Sequence, residues 1–293
     1  MEPASPSPAE EPPDDSVEPI GLGAATLWAL GAQLSFLFVL TLVLGLAGAA
    51  PHSSLRNVGC QVVGYGLVVG AMHRLYAPRL SLSKVVALGR SHLGFLPLAV
   101  LVGAGATLPT YALRAAIERV LPSEQGSFTA TAEAFYQLDL GHQILATLAL
   151  VVVGPVVEEV LFRGAIYGGL VRTHSPRITV VTTGGLFALI HLQPLAPELQ
   201  LLPPLWLMGC LLGYLRWASG SLVPPVLLHI AYNAVPVLPM VGVHAAPTTT
   251  ATPEESWPWV LGSLAVTLLA LLATQALARH LFRRGASPAT PEP

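Results

Sequence analysis

Charge is what this sequence has least of. Asp, Glu, Lys and Arg make up 10% of its 293 residues, whereas a soluble domain carries charge on about a quarter of its positions. Six of the 16 acids (Glu2, Glu10, Glu11, Asp14, Asp15 and Glu18) crowd into the first 18 residues, so the remainder is poorer still. Lysine is nearly missing, with Lys84 alone beside 13 arginines. A net charge of -2 and no basic stripe give no sign of nucleic-acid binding, and no such partner is expected. The two cysteines, Cys60 and Cys210, are too few for a disulfide framework or a zinc cluster and read as small core residues. No Lys or Arg precedes the first apolar run, so the basic region of a cleaved signal is missing and that run is expected to persist in the mature protein. Neither a Gly-x-Ser-x-Gly elbow nor a His-Glu-x-x-His zinc helix occurs.

What is present is hydrophobic. Apolar residues make up 53% of the chain and the mean hydropathy is +0.64, which makes the bilayer its natural solvent. Residues 1–19, rich in Pro, Ser and acid, and residues 285–293 are expected to be disordered tails. Between them, apolar runs at 21–48, 58–73, 93–113, 143–171, 178–192, 199–216, 221–242 and 257–278 predict an all-α, polytopic transmembrane helical bundle of about eight spans. It forms one transmembrane domain over 20–284. The second and fifth runs fall short of the ~20 residues an upright span needs.

Alternate loops hold eleven bases (Arg74, Arg79, Lys84, Arg90, Arg163, Arg172, Arg177, Arg216, Arg279, Arg283, Arg284) against three (Arg56, Arg114, Arg119). The positive-inside rule then places both termini in the cytoplasm. The loop 243–256 faces outward, with Trp257 and Trp259 at the interface. The mixed segment 116–142 suggests no function. Gly164-xxx-Gly168 and Gly209-xxx-Gly213 have the spacing of close helix contacts. The excess of Arg over Lys, with much Ala, Gly, Leu and Pro, suggests a GC-rich bacterial genome and hence a bacterial cytoplasmic membrane.

Polar groups inside the apolar runs carry the chemistry. The fourth run contains Glu158, Glu159 and Arg163, and each ionised group costs roughly 2.5–3.5 kcal/mol at a helix centre unless something offsets it. Glu159 and Arg163 are four apart, on one face and able to pair. Glu158 lies about 100° around the helix and is left available. Pro155, three residues earlier, is expected to loosen the helix there. The fifth run ends at His191, and the seventh carries His229 and Asn233 on one face. Counted from the cytoplasmic ends at 1.5 Å per residue, Glu158 and His191 fall roughly 20 Å deep, His229 roughly 12 Å and Asn233 roughly 18 Å. A shared hydrated cavity near the middle would satisfy all four. The bland alternative is an ion pair and hydrogen bonds that order helices.

A carboxylate and an imidazole around one water can deprotonate it for attack on a peptide carbonyl, while His229 and Asn233 can donate to the oxyanion. Glu158-Glu159-x-x-x-Arg163, Phe187-x-x-x-His191 and His229-x-x-x-Asn233 resemble, in order, the three motifs of the CPBP family. It is also called the CAAX-protease or abortive-infection family, and its best-known members are the Ras-converting CAAX endopeptidases. Gly213-Tyr214-Leu215-Arg216 followed by Gly220-Ser221-Leu222 resembles the turn before the third motif. The resemblance covers about 143–235. It implies an intramembrane endopeptidase in which Glu158 and His191 activate water, His229 and Asn233 hold the oxyanion, and Glu159, Arg163 and Phe187 support the site. The substrate is expected to be a peptide or lipidated protein at the membrane. No cofactor is expected; if a metal such as zinc were bound, Glu158, His191 and His229 would hold it. A non-catalytic membrane scaffold or immunity protein is the competing reading.

Overall fold

The computed structural model describes residues 17–47, 54–122, 127–192, 198–244 and 253–284, and the described residues form helices and no strand. In chain order the helices are α1 (Leu22–Ala47), α2 (Ser54–Tyr76), α3 (Phe95–Glu118), α4 (Ser127–Tyr136), α5 (Leu140–Leu170), α6 (Pro176–Ile190), α7 (Leu202–Ser219), α8 (Val223–Val237) and α9 (Pro253–Arg283). A single turn, Leu82–Val85, lies between α2 and α3.

Local chemistry sets several ends. Asp139 opens α5 by accepting the His142 N–H at 3.0 Å, a side-chain cap for an otherwise orphaned donor. Ser175 caps α6, with Pro176 in the first turn, where a missing N–H costs nothing. Gly220 closes α7 at φ +68°, a left-handed conformation that glycine adopts without a Cβ penalty. Pro224 and Pro225 then start α8.

Five helical stretches are long and apolar enough to cross a membrane: Leu22–Leu46, Phe95–Glu118, Leu140–Leu170, Val223–Met240 and Ser256–Arg283. The remaining three expected spans coincide with helices α2, α6 and α7, which do not meet that description. The 15 residues of α6 extend only about 22 Å against a hydrocarbon core of about 30 Å. Helix α2 carries Arg56, Gln61, His73 and Arg74, which dilute its apolar character. Outward faces are apolar, as at Leu34, Phe38, Leu261 and Leu269. Such faces suit lipid rather than water.

Helix α1 packs on α2, α9 on α3, α3 on α8 and α6 on α7, with α5 among α2, α6 and α8. Glycines permit the closest approaches. A Cβ on Gly209 would stand 2.6 Å from Gly184 Cα, and one on Gly213 3.3 Å from Val180 Cα, so the Gly209-xxx-Gly213 face is the α7 side of the α6 contact. Gly164 and Gly168 instead face Val86 and Val85 beside the short turn.

Of the expected tails, residues 1–16 and 285–293 lie outside the described residues, as do 245–252 of the loop before Trp257. Glu18, near the end of the first tail, donates its backbone N–H to the Tyr76 carbonyl at 2.7 Å.

Candidate active site

Helix α5 is continuous but uneven. Two wide stretches with i→i+5 hydrogen bonding, Ala149–Val153 and Val160–Ile166, flank the α-helical segment Gly154–Glu159 that carries both glutamates. Such widenings recur at functional sites because they re-aim side chains. The sequence explains the first. Gly154 N–H is bound to the Ala149 carbonyl, and the next residue, Pro155, has no N–H to give to Leu150. Asn233 of α8 supplies the missing donor, its Nδ2 lying 3.0 Å from the Leu150 oxygen. In the second stretch the Arg163 carbonyl accepts from Nε of Arg216 at 3.1 Å.

Glu159 and Arg163 pair as their spacing predicts, at 3.1 Å, and both are completely buried. Arg163 also donates to the Gly209 carbonyl at 2.8 Å and lies 4.8 Å over the Phe187 ring. Its inclusion among the cytoplasmic loop charges is therefore corrected. It is an internal cation held by a carboxylate, a carbonyl and an aromatic face, which leaves ten bases against three in the loops.

The same Glu159 Oε1 accepts from His229 Nδ1 at 3.0 Å. The other ring nitrogen, Nε2, then faces Glu158 Oε2 at 3.7 Å. Across the carboxylate, His191 Nε2 stands 3.9 Å from Glu158 Oε1. His191 is the C-cap of α6, and its Nδ1 is 2.6 Å from the Phe187 carbonyl four residues back. A carbonyl only accepts, so Nδ1 carries the hydrogen, and in the neutral ring Nε2 presents its lone pair toward Glu158. Phe187 fills the space beneath. Its ring lies 4.6 Å from that of His191, 5.7 Å from that of His229 and 5.6 Å from that of Phe162.

One partner is not singled out by the motifs. Gln61 of α2 donates Nε2 to Glu158 Oε1 at 2.8 Å. The sequence does carry a signal for it: Val58, Gln61, Tyr65, Val68 and Met72 follow a 3-4-3-4 spacing, and Gln61 is the polar member of that inward stripe. Glu158, His191 and His229 thus meet directly. Asn233, one turn beyond His229, engages the α5 backbone.

A family comparison finds the same stretch of chain. Residues 140–235 match the family described as type II CAAX prenyl endopeptidase Rce1-like. That segment, about a third of the chain, is similar to the Rce1-like peptidases. The family is one of peptidases, and every motif residue singled out above lies inside the matched segment. The matched segment begins at the start of α5 and ends within α8, so Gln61 belongs to a helix that precedes it. Among curated proteins and solved structures, no match was found.

The donor set can be held against the needs of zinc. Two ligands of a tetrahedral zinc at 2.0–2.2 Å stand about 3.4 Å apart. Both carboxylate–imidazole separations in the cluster are wider, at 3.7 and 3.9 Å. Glu158 Oε1 is also engaged by Gln61. Among the described residues no three His, Cys, Asp or Glu side chains are arranged to hold a metal.

Proposed function

We propose that the protein is an intramembrane endopeptidase that hydrolyses a peptide bond of a membrane-associated substrate with water activated by Glu158 and His191. The observation that carries this reading is the 3.9 Å gap between Glu158 Oε1 and His191 Nε2. With the imidazole neutral both atoms are acceptors, so neither can bond the other, but a water about 2.8 Å from each could donate to both. Such a water is polarised from two sides and held in place, as a general base requires.

In the reaction, one water proton passes to Glu158 as the oxygen lone pair forms the new bond to the substrate carbonyl carbon. The carbonyl π electrons move to its oxygen. His229, held through Nδ1 by Glu159, directs Nε2 toward the same space. Donation from Nε2 uses the doubly protonated ring, whose charge offsets that of the oxyanion while Glu159 balances Arg163. Asn233 commits one amide hydrogen to Leu150, and its second completes the oxyanion site. Collapse of the intermediate breaks the C–N bond, and the proton on Glu158 leaves with the amine. Glu159, Arg163 and Phe187 hold the imidazoles in place.

The eight helices other than α4 lie in or against the bilayer, with both termini on the cytoplasmic side where the loop bases collect. The substrate is a peptide or lipidated protein. A prenylated CaaX terminus, the class in the family's description, is a suitable assay probe.

The test in cells compares membrane proteomes of a strain with this protein, one without it and one carrying Glu158→Gln. Fragments present only with the unaltered protein are expected. Identical proteomes in all three strains would contradict the reading.

A further inference from the structure

We infer that Gln61 is a positioning residue for Glu158, so that the site is completed by α2 from outside the family-matched segment. This rests on the proteolytic reading above.

The carboxylate has few neighbours that can fix its rotation. His191 and His229 approach at 3.9 and 3.7 Å, beyond hydrogen-bond range. Among the described residues, Gln61 at 2.8 Å is the partner within bonding distance. Charge chooses which end of the amide faces Glu158. The amide oxygen would repel an ionised carboxylate, so the NH₂ group turns toward it. With one lone pair of Oε1 occupied, the carboxylate plane is set, which directs its remaining lone pairs between the two imidazoles.

An uncharged donor suits this job. A lysine ammonium at the same place would form an ion pair and hold the carboxylate much more tightly. An amide orients Glu158 without neutralising it.

Helix α2 can hold Gln61 steadily because it is anchored on α1. Gly64 lets the two backbones meet, since a Cβ there would be 2.6 Å from the Phe36 nitrogen. Tyr65, on the Gln61 face at i+4, donates its hydroxyl to Gln33 of α1 at 3.4 Å. Helix α1 and the first half of α2 thereby take part in the site, although neither contributes a reacting group.

The experiment uses the full chain in lipid nanodiscs with a farnesylated CaaX peptide as probe. The variants are Gln61→Leu, which keeps a similar size but loses the NH₂ donor, and Gln61→Met, which keeps volume without polarity. Both are read beside Glu158→Gln. Infrared difference spectra supply a second readout: the carboxylate stretch that disappears in Glu158→Gln belongs to Glu158.

Loss of a hydrogen bond to a charged group predicts that kcat falls roughly 10- to 100-fold in both Gln61 variants. KM should stay within about threefold, and the Glu158 band should shift in Gln61→Met. A packing role predicts instead that the similarly sized Gln61→Leu keeps its activity, which would overturn the inference. An unmoved band, or a shifted band with unchanged kcat, overturns it as well. If the unaltered protein leaves the probe intact while the band still shifts in Gln61→Met, the failure belongs to the choice of activity and the Gln61–Glu158 bond stands. No cleavage with an unmoved band rejects both.

Discussion

Glu159 and His229 lie 70 positions apart in the chain, yet Oε1 of the first and Nδ1 of the second are 3.0 Å apart in the interior. That bond joins two functions that the sequence spacing keeps separate. The Glu159–Arg163 pair fixes α5, and through His229 it also aims a ring nitrogen at Glu158.

Breaking this pair from one side should be costly. Glu159→Gln leaves Arg163 buried without a counter-charge and is expected to lower stability by about 3–5 kcal/mol. The double variant Glu159→Gln/Arg163→Met removes the stranded charge and should recover most of the loss. Activity should not return, because His229 would still lack its charged partner. Denaturant unfolding of the three proteins, with cleavage assayed in parallel, separates the two effects.

Asn233 has a structural task that can be isolated. Asn233→Ala leaves the Leu150 carbonyl without a donor and should cost about 1–3 kcal/mol. Adding Pro155→Ala returns a backbone N–H beside that carbonyl, so the double variant should be more stable than additivity of the two single changes predicts. Additive losses would show that Asn233 does not compensate for the proline. If Asn233 also serves the oxyanion, cleavage stays low in the double variant.

Gly209 holds α6 and α7 together and provides the carbonyl that binds Arg163. Gly209→Ala sets a methyl against the Gly184 backbone and should destabilise by about 1–3 kcal/mol, with partial loss of activity as Arg163 shifts. Gly185→Ala is the control. Its added carbon meets only Trp206 Cδ1 at 4.0 Å, and both stability and activity should be nearly unchanged. Equal behaviour of the two variants would refute the packing argument.

The spacing of Glu158, His191 and His229 predicts that cleavage survives exhaustive chelation. Metal analysis of the active protein is the check. Stoichiometric zinc together with loss of activity that added zinc restores would contradict it.

The part of the site most legible in the sequence is the part the membrane makes expensive. Glu158, Glu159, Arg163, His191, His229 and Asn233 interrupt apolar runs, so each stands out on hydropathy alone. Helical spacing correctly pairs Glu159 with Arg163, because that contact is local. The His229–Glu159 bond depends on how α8 is rotated against α5, which depth arithmetic along separate helices cannot provide. Gln61 is inconspicuous because it is uncharged and lies in a helix of mixed polarity. The wide turns of α5 have no sequence rule of their own; Pro155 marks where the ladder loosens but not that Asn233 repairs it. Helix positions are readable from hydropathy except for α4, which lies in the mixed segment 116–142. Their status as spans is less so, since α2, α6 and α7 are too polar or too short to declare it alone.

The central claim is that Glu158 is the base that activates water, and the most direct measurement is turnover of a membrane peptide by purified Glu158→Gln in nanodiscs. The substitution keeps the shape of the side chain and removes its capacity to take a proton. Turnover should fall by at least about a thousandfold, within the range of losses seen when a catalytic base is removed, while the protein stays folded and inserted. Undiminished turnover by the folded variant would contradict the account.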